Sequence, residues 1–315
     1  MKRLLALALL ACIPVMAQAF PERPVRIVVP LTPGGSPDTI ARAIAAGLQG
    51  VWTQPVVVEN RPGGSQNIGA DLVAKSAPDG HNWLLAPDNV FSVNPHLGKQ
   101  PFDPLADFIP VTLLARIQFL LVVHPSLPAS SVAELIAYAK ARPGELNHGS
   151  SGNGSPQHLG AAMLQLMTGT KMNHVPYKGA APAVADLLPG RIQVWIGAAN
   201  TLLPHIKEGK LKLLASSAPT RFPNLGDTPT IAETVAGYGL DPWLGLFVPA
   251  KTPAEVVNRI HAEATKIVNA PDLKSKLAAQ GIMIETNSPS DFARAIREDH
   301  ARWGKVIREA GIKGE

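Results

Sequence analysis

The 315-residue chain has a single cysteine, Cys12. That excludes an internal disulfide and leaves no thiol cluster for metal or redox chemistry. Aromatic residues make up only 5%, which counts against a sugar receptor built on ring faces. Lys and Arg are scattered, with no run of five and no basic stripe threaded with aromatics, so nucleic-acid binding is not supported. Past the first residues, no stretch is apolar enough to span a membrane. A Gly-x-Ser-x-Gly elbow, a His-Glu-x-x-His helix and a phosphate-binding Gly-x-x-x-x-Gly-Lys-Ser/Thr loop are all missing. The nine histidines never stand at i, i+4 spacing. No catalytic residue, metal or cofactor is expected on these grounds.

The start of the chain reads as a processing signal. Lys2 and Arg3 precede an apolar run from Leu4 to Met16, broken by Pro14, and Ala17-Gln18-Ala19 places small residues for cleavage. The run is shorter than the roughly 20 residues of a spanning helix, and anchoring through Cys12 would waste the Ala-x-Ala site. Residues 1–19 are therefore expected to be a signal peptide for export, with the mature chain starting at Phe20 or Pro21. The formal net charge of +5 falls to +3 without Lys2 and Arg3. This mild positive balance suits an anionic ligand only as a weak field effect.

Short β-branched runs alternate with amphipathic helices, which predicts an α/β chain with largely parallel sheets. Strands are expected at Val25–Pro30, Val56–Asn60, Trp83–Ala86, Phe119–His124 and Trp243–Ala250. Ser131 with Glu134, Thr252 with Pro253, and Ser288 with Asp291 are helix-start signals. The two most apolar strands bracket a self-contained block, so the chain is expected to leave one lobe, build a second and return. Lobe one would comprise residues 20–121 plus 244–315, and lobe two residues 122–243. One large sheet is the alternative that composition leaves open.

Ligands of open α/β sheets bind beyond the carboxyl ends of strands, and the small-residue loops lie there. Pro33-Gly34-Gly35-Ser36 precedes a helix that Ser36 or Asp38 can cap, leaving backbone N–H groups bare for an anion. Ser150, Ser151, Asn153, Gly154 and Ser155 form a dense set of small donors before a helix begun by Pro156, with His158 beside them. Gly179, Ala180 and Ala181 open another helix, Tyr177 is a candidate wall, and Lys178 reads as solvated. Asp88 and Asn89 form a weaker signal after the third strand. The second Pro-Gly-Gly-Ser, at Pro62–Ser65, reads as a structural turn.

Six blocks in order carry a family resemblance: "VPLTPGGSPDTIAR", "VENRPGGSQNIGADLVAKSAPDG", "SSGNGSPQHL", "HVPYKGAAPAVADLLPG", "LPHIKEGKLKLLA" and "FVPAKTP". Together they closely resemble the Bug receptors, the substrate-binding proteins of tripartite tricarboxylate transporters, along the whole chain. The resemblance implies a two-lobed periplasmic binding protein of type II, the Venus-flytrap form. It implies capture of a small carboxylate for membrane permease subunits; a monomer is expected. In the family a pincer of loops grips the carboxylate. These loops match Thr32, Pro33, Gly34, Gly35, Ser36 and Asp38 in lobe one, and Tyr177, Gly179, Ala180 and Ala181 in lobe two. The Ser150–Ser155 loop supplies further donors.

One departure bears on the ligand. Many members carry Phe-Asp-Asn where this chain has Ile196, Gly197 and Ala198, so an acid that could pair with a ligand ammonium is replaced by Gly197. A carboxylate without an amine is the expected ligand. Rival readings are a sensor that signals its closed form, and a hydrolase using His158 with a nearby serine.

Overall fold

A computed structural model describes residues 20–177 and 179–314. The expected signal peptide, with Cys12, and Lys178 lie outside the described residues.

From its first described residues the chain builds β1 (Val25–Val29), α1 (Ser36–Gln49), β2 (Val56–Asn60), α2 (Asn67–Ala74) and β3 (Asn82–Pro87). Two single-turn helices follow, α3 (Asn89–Ser92) and α4 (Asn94–Leu97), and then β4 (Phe108–Ile117). After Gln118 come β5 (Phe119–Val123), α5 (Val132–Ala141), β6 (Asn147–Ser150), α6 (Pro156–Thr168), β7 (Asn173–Pro176), α7 (Ala180–Leu187), β8 (Val194–Ala198), α8 (Ala199–Lys207) and β9 (Lys212–Ser216). The return consists of β10 (Trp243–Pro249), α9 (Ala254–Val268), α10 (Pro271–Ala278), β11 (Ile282–Ile284) and α11 (Pro289–Glu309).

These strands form two sheets, ordered β11-β4-β10-β3-β1-β2 and β7-β6-β8-β5-β9. The result is the α/β, two-lobed periplasmic-binding-protein fold. Both sheets are mixed rather than largely parallel. β1 pairs parallel with β2 and β3, and β6 with β7 and β8, whereas β10 runs antiparallel to β3 and β4 and β5 antiparallel to β8 and β9. The cause lies in the connections. β4, β5 and β10 carry the chain between the lobes, and a strand entering a sheet from the far side arrives reversed.

Helices cover both faces of each sheet, so the strands are apolar on both sides. In lobe one, Val25, Ile27 and Val29 of β1 and Trp83 and Leu85 of β3 join α1 and α9 on one face. Val28, Leu84 and Ala86 turn the other way, towards Phe91, Phe247 and Phe292. In lobe two, Leu121 and Val123 face one core and Leu120 and Val122 the other. That two-residue alternation is what a strand dictates.

The first crossing between lobes corrects the expected boundary. All five residues of β5 pair in the second sheet, so a division at Leu121 would cut through a strand. The chain crosses instead at the buried Gln118 and returns just before Trp243. There Ile117 N–H donates to Pro242 O (2.8 Å), tying the two crossing segments together. α11 makes a third connection. Its Phe292 and Ile296 are buried in the lobe-one core, whereas Trp303, Val306 and Ile307 are buried in that of lobe two.

Ser131 caps α5 through Glu134 N–H and Ser288 caps α11 through Asp291 N–H. Thr252 does not cap α9; its hydroxyl donates to Pro249 O (2.8 Å) and closes a turn.

Candidate functional site

A cleft of about 500 Å³ lies between the lobes, within the range of small-molecule sites. On the lobe-one side it is lined by the ends of β1 and β3, the Ser65–Gln66 loop and the start of β10. On the other side it is lined by Phe119 and the β6–α6 loop. Parallel pairing explains the arrangement, because β6 and β8 end at the same edge of their sheet.

Two helix N-termini reach the cleft from opposite lobes. Ser36 and Pro37, in the first turn of the 14-residue α1, line it from lobe one, and Ser155, Pro156 and Gln157 of the 13-residue α6 from lobe two. The first turn of a helix leaves backbone N–H groups without intrahelical acceptors and carries a partial positive charge. Ser155 caps α6, accepting from His158 N–H, while its own hydroxyl donates to Gly152 O (2.7 Å). Among the described residues, the backbone N–H groups of Ser151 and Asn153 make no hydrogen bond. Gly154 sits at φ +70°, and a side chain there would overlap Leu97 of α4 in lobe one. The two lobes come together over that bare backbone.

Of the expected residues, the structure brings Ser36, Asp88, Asn89, Ser151, Asn153, Gly154 and Ser155 together in the cleft. Thr32, Pro33, Gly34 and Gly35 are exposed beside it without lining it. Asp38 is buried and braces that loop: its carboxylate accepts from Gly34 N–H (3.0 Å) and from Arg42 (2.9 Å). The Arg42 hydrogen bond holds its acidity above that of an ordinary aspartic acid. Ser150 is also buried, with its hydroxyl between Gly152 and His174 Nε2 (2.6 Å). Tyr177, Gly179, Ala180 and Ala181 belong to the neighbouring rim, where Tyr177 N–H donates to Ser150 O (3.0 Å) and the Tyr177 hydroxyl to Asp186 (2.9 Å).

His158 is outside the cleft, stacked on His174 with ring centroids 3.8 Å apart and with His148 beyond, in a separate pocket behind the loop. Its Nδ1 accepts from Gly154 N–H (3.2 Å), so it props the loop from the rear. Burial keeps these rings neutral, holding His148 down to about 3 and His158 to about 4. Gly197 and Ala198 likewise do not line the cleft. A side chain at 197 would collide with the buried Trp195 indole, which fills that space.

The sequence reading missed Gln66, Asn94, Gln157 and Trp243, all in the cleft wall, and took Ser65 for part of a plain turn. The Gln66 and Gln157 side-chain oxygens are buried without partners. The repeated Pro-Gly-Gly-Ser was the available signal. Gly63 and Gly64 adopt positive φ, and Asn94 Nδ2 donates to Ser65 O (2.7 Å), fixing the loop against the cleft.

Electrostatics converge on Asp88. It is only 6% exposed, and Oδ1 accepts from its own Asn89 N–H (2.9 Å). Burial, reinforced by the Asp299 carboxylate, pushes this carboxyl up to about 7. Asp299 is held by Arg302 (2.7 Å) and by the Trp243 indole N–H (2.6 Å). Asp241 is paired with Arg116.

The model of the tripartite tricarboxylate transporter family receptor matches residues 40–312. The chain belongs to that family. BugT of Bordetella pertussis (strain Tohama I) is 36% identical over 308 residues, 95% of this chain and 93% of the relative. Among solved structures, R. palustris Rpa4515 with adipate matches at TM-score 0.81 and 38% identity, covering 94% of this chain and 100% of that one. MatC (Rpa3494) from Rhodopseudomonas palustris with bound malate matches at TM-score 0.76 and 29% identity, covering 91% and 100%. Members of this receptor family bind solutes and are not enzymes. The protein is a solute receptor of this kind. Among its described residues no helix is long and apolar enough to cross a membrane.

Proposed function

We propose that this receptor works in the periplasm, after removal of residues 1–19, as a monomer. It captures a small carboxylate without an amine between its lobes and presents it to the permease subunits of a tripartite tricarboxylate transporter. The observation that carries this reading is the pair of helix N-termini, α1 and α6, that line one cleft from opposite lobes with small polar side chains. An anion placed between them gains from both partial charges and from bare N–H groups. Charge-assisted hydrogen bonds contribute about 1.5–3 kcal/mol each, so a few suffice for micromolar binding. The exposed Thr32–Gly35 loop and the rim residues Tyr177, Gly179, Ala180 and Ala181 then close over the ligand as the lobes approach.

The dicarboxylates bound by the related structures, adipate and malate, support the ligand class. A thermal-shift panel of adipate, malate, succinate, citrate, benzoate and the amine-bearing 2-aminoadipate tests it. A ligand that binds only the folded state raises the melting temperature. At least one amine-free carboxylate is expected to do so, and adipate to exceed 2-aminoadipate. Absence of any stabilisation across the panel, or preference for the amine, overturns the reading.

A further inference from the structure

Among the described residues lining the cleft, Asp88 is the sole ionisable side chain. An anion site whose one titratable wall group is an aspartate poses a problem of sign. An ionised Asp88 would repel the ligand that the helix N-termini attract, and the low-dielectric wall would amplify that repulsion. Among the described residues Asp88 makes no ion pair within 4 Å, and Arg302 relieves it only at longer range, less than burial and Asp299 oppose it. Its Oδ1 is taken by Asn89 N–H. Among the described residues Oδ2 has no partner, yet it is not among the orphaned atoms sealed from solvent, unlike Asp38 Oδ1 and Asp241 Oδ1.

The surroundings keep the group short of positive charge. From α11, Asp299 faces it with Arg302, but the guanidinium is spent on Asp299 and on Gly239 O. From the segment before β10, Asp241 is held by Arg116 of β4, which also binds Glu285. His300 of α11 donates its Nδ1–H to Phe91 O (2.8 Å), and His96 of α4 lies tilted against it and donates to His300 O (2.9 Å), so both rings are engaged away from Asp88. On the lobe-two wall Ser151, Asn153, Ser155 and Gln157 bear no charge.

Resting on the carboxylate reading above, we propose that Asp88 serves as a neutral carboxylic acid in the bound state, donating its proton to a carboxylate oxygen of the ligand. Asp88 is then a specificity residue: it accepts an anion with an oxygen placed opposite β3, and capture takes up a proton wherever free Asp88 is ionised. The sign follows from linkage. Ligand binding favours the protonated acid, so affinity is greatest at acid pH. It declines as pH rises through the range where the free carboxyl ionises, by up to tenfold per pH unit. Because burial already places that ionisation near neutrality, the decline falls within an accessible range. An ammonium-bearing ligand would reverse the trend, since an ionised Asp88 would hold it.

The test is calorimetric titration of the full mature chain with adipate and with each other panel carboxylate that binds, between pH 5.5 and 9. Adipate keeps both carboxylates ionised over most of that range. The expected result is a dissociation constant rising several-fold or more between pH 6.5 and 8.5. Proton uptake should appear at pH 8 when buffers of different ionisation enthalpy are compared. Asp88→Asn, whose amide retains an N–H donor without titrating, should give a flat profile and bind more tightly than wild type at pH 8.5. Asp88→Ala, which removes the donor, should weaken binding about tenfold or more at pH 6. A wild-type affinity that is flat or improves with pH overturns the proposal while leaving the receptor reading intact, and so does unimpaired binding by Asp88→Ala. Absence of carboxylate binding at every pH instead brings down the reading on which it rests.

Discussion

At the scale of single residues, position 197 shows how one exchange decides another. Trp195 and Gly197 share a face of β8, and the indole occupies the volume a side chain at 197 would need. Restoring the family's acid by Gly197→Asp is therefore an overpacking change as well as a buried charge. It is expected to destabilise the protein by roughly 1–3 kcal/mol, read as a lower midpoint in chemical denaturation. Combining it with Trp195→Phe should recover part of that loss; equal stability of Gly197→Asp and wild type contradicts the account. The sequence shows a glycine at 197, but not that the indole two residues away fills the space beside it. That takes the register of one strand in three dimensions.

The histidine stack gives a second residue-scale expectation. His148, His158 and His174 are all held below their ordinary imidazole range by burial. The unfolded chain takes up these protons first, near pH 6.5. The stability contribution is therefore complete above pH 6.5 and is lost as pH falls from there towards 4. Acid should cost roughly 1–3 kcal/mol between pH 6.5 and 4.5, and His158→Gln should shrink that loss. A pH-independent melting temperature over this interval, in both proteins, contradicts it.

Among elements, the loops after strands were the legible part of the chain. Gly, Pro and Ser crowd together after β-branched runs, and four cleft residues, Ser151, Asn153, Gly154 and Ser155, come from one such loop. The crossing at Gln118 was not legible. β4 and β5 are separated by a single residue with no turn chemistry, so the apolar run passes from one sheet to the other without a mark. Pro110 hides β4 further, because proline argues against a central strand; here it sits beside a register shift opposite β10. The double allegiance of α11 is equally silent, since a single amphipathic pattern does not say that its two ends face different cores. This element carries its own prediction. Trp303 is 2% exposed in the lobe-two core, and Trp303→Ala should cost about 3–5 kcal/mol. It should also broaden the distribution of interlobe distances seen by small-angle scattering. Destabilisation without any change in scattering leaves α11 as packing alone.

For the whole molecule, ligand capture depends on how two halves move about three ties: Gln118, the strand returning through Pro242, and α11. Two of these are extended segments that hydrogen-bond to each other, while the third is a 21-residue helix. Extended segments bend at a few backbone torsions, whereas a helix embedded at both ends resists. The amplitude of opening should thus depend on how far the last turns of α11, with Trp303, can shift within the lobe-two core that buries them.

A jaw braced by such a rod should gape only narrowly. Molecules too wide for the mouth are turned away on girth before any donor inside has been consulted. The range of guests should then be set partly at the threshold, by a helix that stands outside the cleft lining.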